Sequence, residues 1–157
     1  MGIAVRPAVL ADAPAIHELL RFFAARHLLL ARNLGDIYEH LRDFLVAVDD
    51  HAGVQACAAL HLVNDQLAEV KSLAVAEASQ GLGLGRMLVE RACQEAQDWG
   101  LQRVFCLTYQ VAFFEALGFH RVDRSRLPDK VWNECVRCDR FLDCDEVAMW
   151  RHLHPAA

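Results

Sequence analysis

No stretch of this chain is apolar for long enough to cross a bilayer, which takes about 20 residues as a helix, so no membrane role is expected. The N-terminus, Met1-Gly2-Ile3-Ala4-Val5-Arg6-Pro7, lacks the pattern of a secretory signal. Gly2 does not make a myristoylation site, because Arg6 stands where that motif needs Ser or Thr. A cytoplasmic location is therefore the expectation. No basic stripe stands out and the net charge is -5, which argues against a nucleic-acid partner. Repeats, linkers and low-complexity tracts are also missing. The six cysteines come without a secretory signal, so they read as cytosolic thiols or ligands rather than a disulfide framework. What is present is 157 residues, 55% of them hydrophobic, which suits one domain over 1–157 with a real core.

The first strand is expected over Ile3–Arg6. Asp12 reads as a helix N-cap with Pro14 in the first turn, and Ile16, Leu19, Leu20 and Phe23 mark the apolar face that follows. Gly35 interrupts an apolar segment from Leu28 to Leu34, and Ile37, Leu41, Phe44 and Leu45 suggest a second helix passing into a strand near 44–48. Asp49-Asp50-His51-Ala52-Gly53 has hairpin-turn composition. Strands are expected over Val54–Val63 and Leu67–Ala76, with Asn64-Asp65 turning between them. Leu84, Leu88, Ala92, Ala96 and Trp99 recur at helical spacing, and Gly100 caps that helix. A buried strand over Val104–Leu107, a short helix over Val111–Leu117 and a strand over Phe119–Val122 complete the pattern, followed by a less regular tail over Leu127–Leu153. Strands joined by tight turns should run antiparallel, and the strand–helix–strand unit around 67–107 should be a right-handed parallel crossover. The fold class is α/β (α+β), a mixed sheet flanked by helices.

The chain is organised around Gln80-Gly81-Leu82-Gly83-Leu84-Gly85-Arg86, set between a strand and a helix. Such a junction gathers unpaired N–H groups at the positive end of a helix dipole, and glycines keep side chains out of an anion's way. A P-loop is excluded because Arg86-Met87 stand where Lys and Ser/Thr are needed. A dinucleotide fingerprint is excluded because the spacing is Gly81-x-Gly83-x-Gly85 and the loop follows several antiparallel strands. Gln-x-x-Gly-x-Gly after the fourth strand remains.

That motif resembles the pyrophosphate loop of the GNAT acetyltransferase superfamily. Phe113-Phe114-Glu115-Ala116-Leu117-Gly118-Phe119 looks like its later helix-and-turn signature, and the element order agrees over nearly the whole chain. The resemblance implies acetyl-CoA as donor, its pyrophosphate on the N–H groups of Gly81–Arg86 and its pantetheine arm along Leu73, Ala74 and Val75. Gln80, Gly81, Leu82, Gly83, Leu84, Gly85, Arg86, Thr108 and Phe113 complete the implied coenzyme contacts. Phe114 stands where many members carry the Tyr that protonates the departing thiolate, and phenylalanine donates no proton. Tyr109 and water are the alternatives.

A nearer resemblance is to N-acetylglutamate synthase domains, including short stand-alone bacterial forms. It is carried by Leu28–Leu34, Cys57-Ala58-Ala59-Leu60-His61, Glu69–Val75, Val104–Thr108, Leu127–Trp132 and Cys144–Met149. It implies N-acetylation of an amino acid, glutamate first, as the opening step of arginine biosynthesis. Only a free amine attacks a thioester, so a carboxylate base is needed. The resemblance puts Glu69 there, with Ser72 beside it, and Leu73 N–H at the oxyanion. It puts Arg32, whose planar fork suits a carboxylate, at the acceptor, with His61 and Lys71. Some relatives have Lys where this chain has His61, which leaves glutamate, glutamine and other amino acids open. An acetyltransferase for another amine or a peptide N-terminus, and a non-catalytic acetyl-CoA-binding module, also remain open, as does a homodimer. Cys135-x-x-Cys138, followed by Cys144, has metal-ligand spacing at its first pair, but no fourth ligand is evident and no metal is assigned.

Overall fold

The computed structural model describes residues 2–128 and 146–154. Cys135, Cys138, Cys144 and Trp132 lie outside the described residues. The elements are β1 (Ile3–Pro7), α1 (Ala13–Ala24), α2 (Leu34–Glu39), β2 (Phe44–Asp49), β3 (Gly53–Leu62), β4 (Leu67–Val75), α3 (Leu84–Asp98), β5 (Arg103–Thr108), α4 (Val111–Ala116), β6 (His120–Arg121) and β7 (Val147–His152). The strands pair in the order β1-β2-β3-β4-β5-β7-β6. β1–β2 and β2–β3 run antiparallel, β4–β5 runs parallel, and β7 runs antiparallel to both β5 and β6. The expected mixed, mostly antiparallel sheet is what forms.

The chain gathers into two compact units, one of residues 1–61 and 70–95, the other of 62–69 and 96–157. In the first, α1 and α2 present Ala13, Ile16, Leu20 and Ile37 to Phe44 and Val46 of β2, Cys57 and Ala59 of β3, and Ala74 of β4. Residues of this size each stabilise the fold by ~1.5–3 kcal/mol when fully buried, and Ile16, Leu20, Ile37 and Phe44 are at 0% exposure. In the second, Leu67, Phe105, Leu127, Ala148 and Trp150 form the corresponding core.

Several local expectations change. Asp12 is not a side-chain N-cap for α1. Its carboxylate accepts from Val9 N–H at 2.8 Å and takes both terminal nitrogens of Arg6, at 2.7 and 3.1 Å, so it closes the 3-10 turn before the helix. Gly35, expected to interrupt the apolar segment Leu28–Leu34, lies in the first turn of α2, which Asn33 caps by accepting from Asp36 N–H at 2.8 Å. Trp99 leaves the buried stripe of α3 and is 53% exposed. Gly100, at φ 88°, reverses the chain there, with N–H bonds from Leu101 to Ala96 C=O and from Gly100 to Gln97 C=O. In this Schellman turn Leu101, not Trp99, takes the buried place. The tail, finally, contains β7: Val147–His152 is a strand in register with all of β5. The expected strand over Phe119–Val122 forms at His120–Arg121, and Val122 N–H extends the pairing to Ala148 C=O at 2.9 Å.

Candidate active site

The loop after β4 is built as the sequence requires, with one addition, a 3-10 turn over Glu77–Ser79. Ser79 is buried and donates its hydroxyl to Gln55 Oε1 at 2.7 Å. Gln80 donates its side-chain amide back to Val75 C=O at 3.2 Å, tying the loop to the end of the strand. Gly81 and Gly83 have φ of 84° and 80°, a conformation that L side chains rarely adopt, and a Cβ at either would meet nothing within 4 Å. Leu82 points outward at 62% exposure, while Leu84, at 2%, anchors the helix start. The first bond into α3 is Met87 N–H to Gly83 C=O, at 3.0 Å. The N–H groups of Leu84, Gly85 and Arg86 thus precede any acceptor carbonyl in the helix. A diphosphate laid against the loop would meet main-chain donors at the head of a 15-residue helix.

Upstream, β4 breaks its own regularity at Ser72, which has φ 54° although it is not glycine. That conformation costs roughly 1–2 kcal/mol and persists only where the surroundings hold it. Two contacts do so. The Ser72 hydroxyl accepts from Arg32 Nη1 at 3.0 Å, and its carbonyl accepts from the Cys57 thiol at 3.5 Å. Burial pushes the Cys57 thiol up to about 12, so it keeps the proton it donates. Leu73, Ala74 and Val75 follow directly on this kink.

Arg32, in the segment before α2, has a side chain only 5% exposed. Its Nε donates to Asp36 Oδ2 at 2.6 Å, and its guanidinium lies 5.0 Å from the centre of the Phe44 ring. The other Asp36 oxygen is 3.1 Å from His40 Nδ1. Burial alone would raise the Asp36 carboxyl. The Arg32 hydrogen bond and the charges of Arg32, His40 and Lys71 outweigh it and hold the group below the ordinary 3.8. His61 Nδ1 is 2.8 Å from Asp43 Oδ2, and its ring meets His40 edge-on at 5.8 Å. Carboxylates only accept, so both Nδ1 atoms carry hydrogen.

Of the sequence-predicted residues, the structure therefore brings Arg32 and Ser72 into contact and sets His61 two side chains beyond, through Asp36 and His40. Asp36 and His40 were not anticipated. The signal for Asp36 was the Arg32-x-x-x-Asp36 spacing across the Asn33 cap. Asp36, Glu39 and His40 sit close enough to share an ion, but Asp36 is already bonded to both Arg32 and His40. In the second unit, Glu69 is half-buried in β4 opposite Phe105 of β5. Thr108, buried at the end of β5, accepts from Gln110 N–H at 2.8 Å and turns the chain into α4. Phe113 is half-buried there, its ring 5.0 Å from that of Phe114. Phe114 is 4% exposed and packs on Phe119 as well.

A strand kinked before a glycine turn, a helix whose N–H groups crown that turn, and a mixed sheet carrying both are the architecture of an acetyltransferase. The model of the Acetyltransferase (GNAT) family matches residues 13–119, more than half of the chain, and the chain belongs to that family. Among individual proteins, it is 39% identical over 150 residues to an uncharacterized N-acetyltransferase of Chlorobaculum tepidum, covering 95% of this chain and 96% of that one. It is 38% identical over 135 residues to an amino-acid acetyltransferase of Mycobacterium tuberculosis, covering 85% and 77%. Rv2747 from Mycobacterium tuberculosis, solved in complex with CoA and NLQ, superposes with a TM-score of 0.81 at 34% identity over 96% of this chain and 99% of that one. N-acetylglutamate synthase from Neisseria gonorrhoeae, complexed with coenzyme A and N-acetyl-glutamate, gives 0.87 at 25% identity, covering 98% of this chain and 36% of that one.

Proposed function

We propose that this chain transfers the acetyl group of acetyl-CoA to the α-amine of an amino acid, glutamate first among candidates, by direct attack in a ternary complex. The observation that carries the reading is Arg32: a guanidinium buried to 5% exposure and bonded to the hydroxyl at the kink of β4. Its Nε and Nη1 are engaged by Asp36 and Ser72, which leaves Nη2 as the nitrogen for an acceptor carboxylate. The names of the Mycobacterium tuberculosis and Neisseria gonorrhoeae relatives support an amino acid as acceptor.

In this reading the glycine turn takes the coenzyme's diphosphate on its N–H groups, Leu73 to Val75 take the pantetheine arm, and Thr108 and Phe113 lie along it. Glu69 removes a proton from the acceptor ammonium, and the freed nitrogen attacks the thioester carbon. Leu73 N–H receives the charge that builds on the carbonyl oxygen. The C–N bond forms, the nitrogen sheds its second proton to solvent, the C–S bond breaks, and coenzyme A leaves as a thiolate. Phe114 has no proton to give; a thiol with pKa near 8.5 leaves tolerably without one and is protonated by water. The acceptor's side chain faces His61 and Lys71, and the product would open arginine biosynthesis in the cytoplasm.

Glu69→Gln tests the chemistry. Turnover should fall by about a hundredfold or more, the usual range for a general base, while acetyl-CoA binding stays within about twofold. Equal losses in both would remove Glu69 from the base role. Thiol release across a panel of amino acids, amines and peptides, corrected for the protein's own cysteines, decides the acceptor. Tight acetyl-CoA binding with no release for any of them would make the chain a binding module.

A further inference from the structure

We infer that Asp36 is the positioning residue for Arg32, steered in turn by His40, and that this pair sets how well the enzyme selects an acceptor bearing an α-carboxylate. The inference rests on the reading of Arg32 as the acceptor's carboxylate contact.

Arginine has many rotamers, and a guanidinium selects a carboxylate well only when its planar fork is held in one orientation. Arg32 precedes α2, so no helical backbone fixes it. Asp36 does. Its own backbone N–H is locked to Asn33 Oδ1 at 2.8 Å, which places its carboxylate at the first turn of the helix. The two oxygens are then divided: Oδ2 takes Arg32 Nε at 2.6 Å, and Oδ1 lies 3.1 Å from His40 Nδ1. The same Nδ1 is 3.0 Å from the Asp36 carbonyl oxygen. With two acceptors facing it, Nδ1 carries hydrogen whichever charge the ring has, so His40 pins the carboxylate from the side away from Arg32. The far end of the guanidinium is set by Ser72 Oγ at 3.0 Å. A plane held at Nε and Nη1 has its remaining nitrogen fixed in direction. Asp36 thus acts through Arg32 and needs no contact with the acceptor itself.

The test is steady-state kinetics of the full chain with acetyl-CoA and either glutamate or its α-carboxamide analogue. Asp36→Asn removes the charge and keeps the shape. It should raise the KM for glutamate about tenfold, leave kcat within about twofold, and erase the preference for carboxylate over carboxamide. Asp36→Glu should recover part of that preference. In an Arg32→Ala background, adding Asp36→Asn should change KM by less than about twofold, because the two act as one unit. His40→Ala, at a half-exposed position outside the core, should give a smaller loss of the same preference, and it serves where Asp36→Asn fails to fold. If Arg32→Ala erases the preference while neither Asp36→Asn nor His40→Ala moves it, the positioning role is wrong and the reading of Arg32 stands. If Arg32→Ala itself leaves the preference unchanged, the reading falls and the inference with it.

Discussion

The glycine turn and the Arg32 cluster border the same strand in the same compact unit, yet they offer a ligand opposite things. At the turn the donors are main-chain N–H groups, side chains are absent by necessity at Gly81 and Gly83, and the surface is open. At Arg32 the donors belong to a side chain that is almost wholly buried and held by Asp36, Ser72 and the Phe44 ring. The turn depends on φ angles and on the start of a helix, and any sequence meeting those two conditions presents the same donors. The cluster depends on which residues happen to meet, so its selectivity can be retuned by one substitution while the fold persists. A shared coenzyme suits the first construction, and a variable acceptor suits the second.

Removing one side should leave the other working, and the larger effect belongs to the cluster. Arg32→Ala deletes a charge-assisted contact worth ~1.5–3 kcal/mol. The KM for the acceptor should therefore rise about a hundredfold, while the Kd for coenzyme A, read by calorimetry, changes by less than about twofold. Parallel losses in both would merge the two regions into one. The reciprocal change is Gly83→Val. A β-branched residue at φ 80° is strained and places bulk where the diphosphate would approach. Coenzyme A binding should weaken about tenfold, with the acceptor KM nearly unchanged at saturating donor.

These differences also explain what could be read from the residues alone. The glycine turn was legible because its chemistry is local: Gln80 to Arg86 spell out the turn, and Leu84, Leu88 and Ala92 spell out the helix behind it. Arg32 stood out as a charge in an apolar stretch, and Ser72 by its neighbourhood, but their contact spans 40 positions of sequence, and no periodicity reports a pairing of that kind. Asp36 hid for another reason. Gly35 reads as a breaker, which masks the short helix that Asn33 caps and that brings Asp36 under Arg32. β7 was missed because its four apolar residues follow directly on a cysteine-bearing segment and resemble its end. Only pairing with β5 and β6 makes them a strand. Trp99 continued a helical period past the point where Gly100 stops the helix.

A smaller effect separates the regions by acid. Glycine-turn donors do not titrate, whereas Asp36 in the cluster, like Asp12 beside Arg6, is held below the ordinary 3.8. For Asp12 the Arg6 hydrogen bond is the main cause. A depressed carboxyl binds its proton less readily when folded than when unfolded. Its stabilisation is complete above the unfolded value and is lost as the pH falls through the folded one. Urea midpoints should thus hold steady near neutrality and drop below about pH 4, and Asp36→Asn should make that drop shallower. An unchanged acid limb would mean that the Arg32–Asp36 bond contributes nothing to folding.

The smallest effect sits at the kink itself. At a regular strand position glycine is less stable than alanine by roughly 0.5–1 kcal/mol. Ser72 is not regular, since its φ is 54°, and there alanine keeps the strain that glycine relieves. Both Ser72→Gly and Ser72→Ala lose the hydroxyl that Arg32 holds at 3.0 Å, so that loss cancels when the two variants are compared. Ser72→Gly should therefore be the more stable of the pair, by about 1 kcal/mol in urea unfolding. The opposite order would mean that β4 runs straight through residue 72 in solution. Arg32 would then have no kink to hold, and the cluster would lose its link to the strand that leads into the glycine turn.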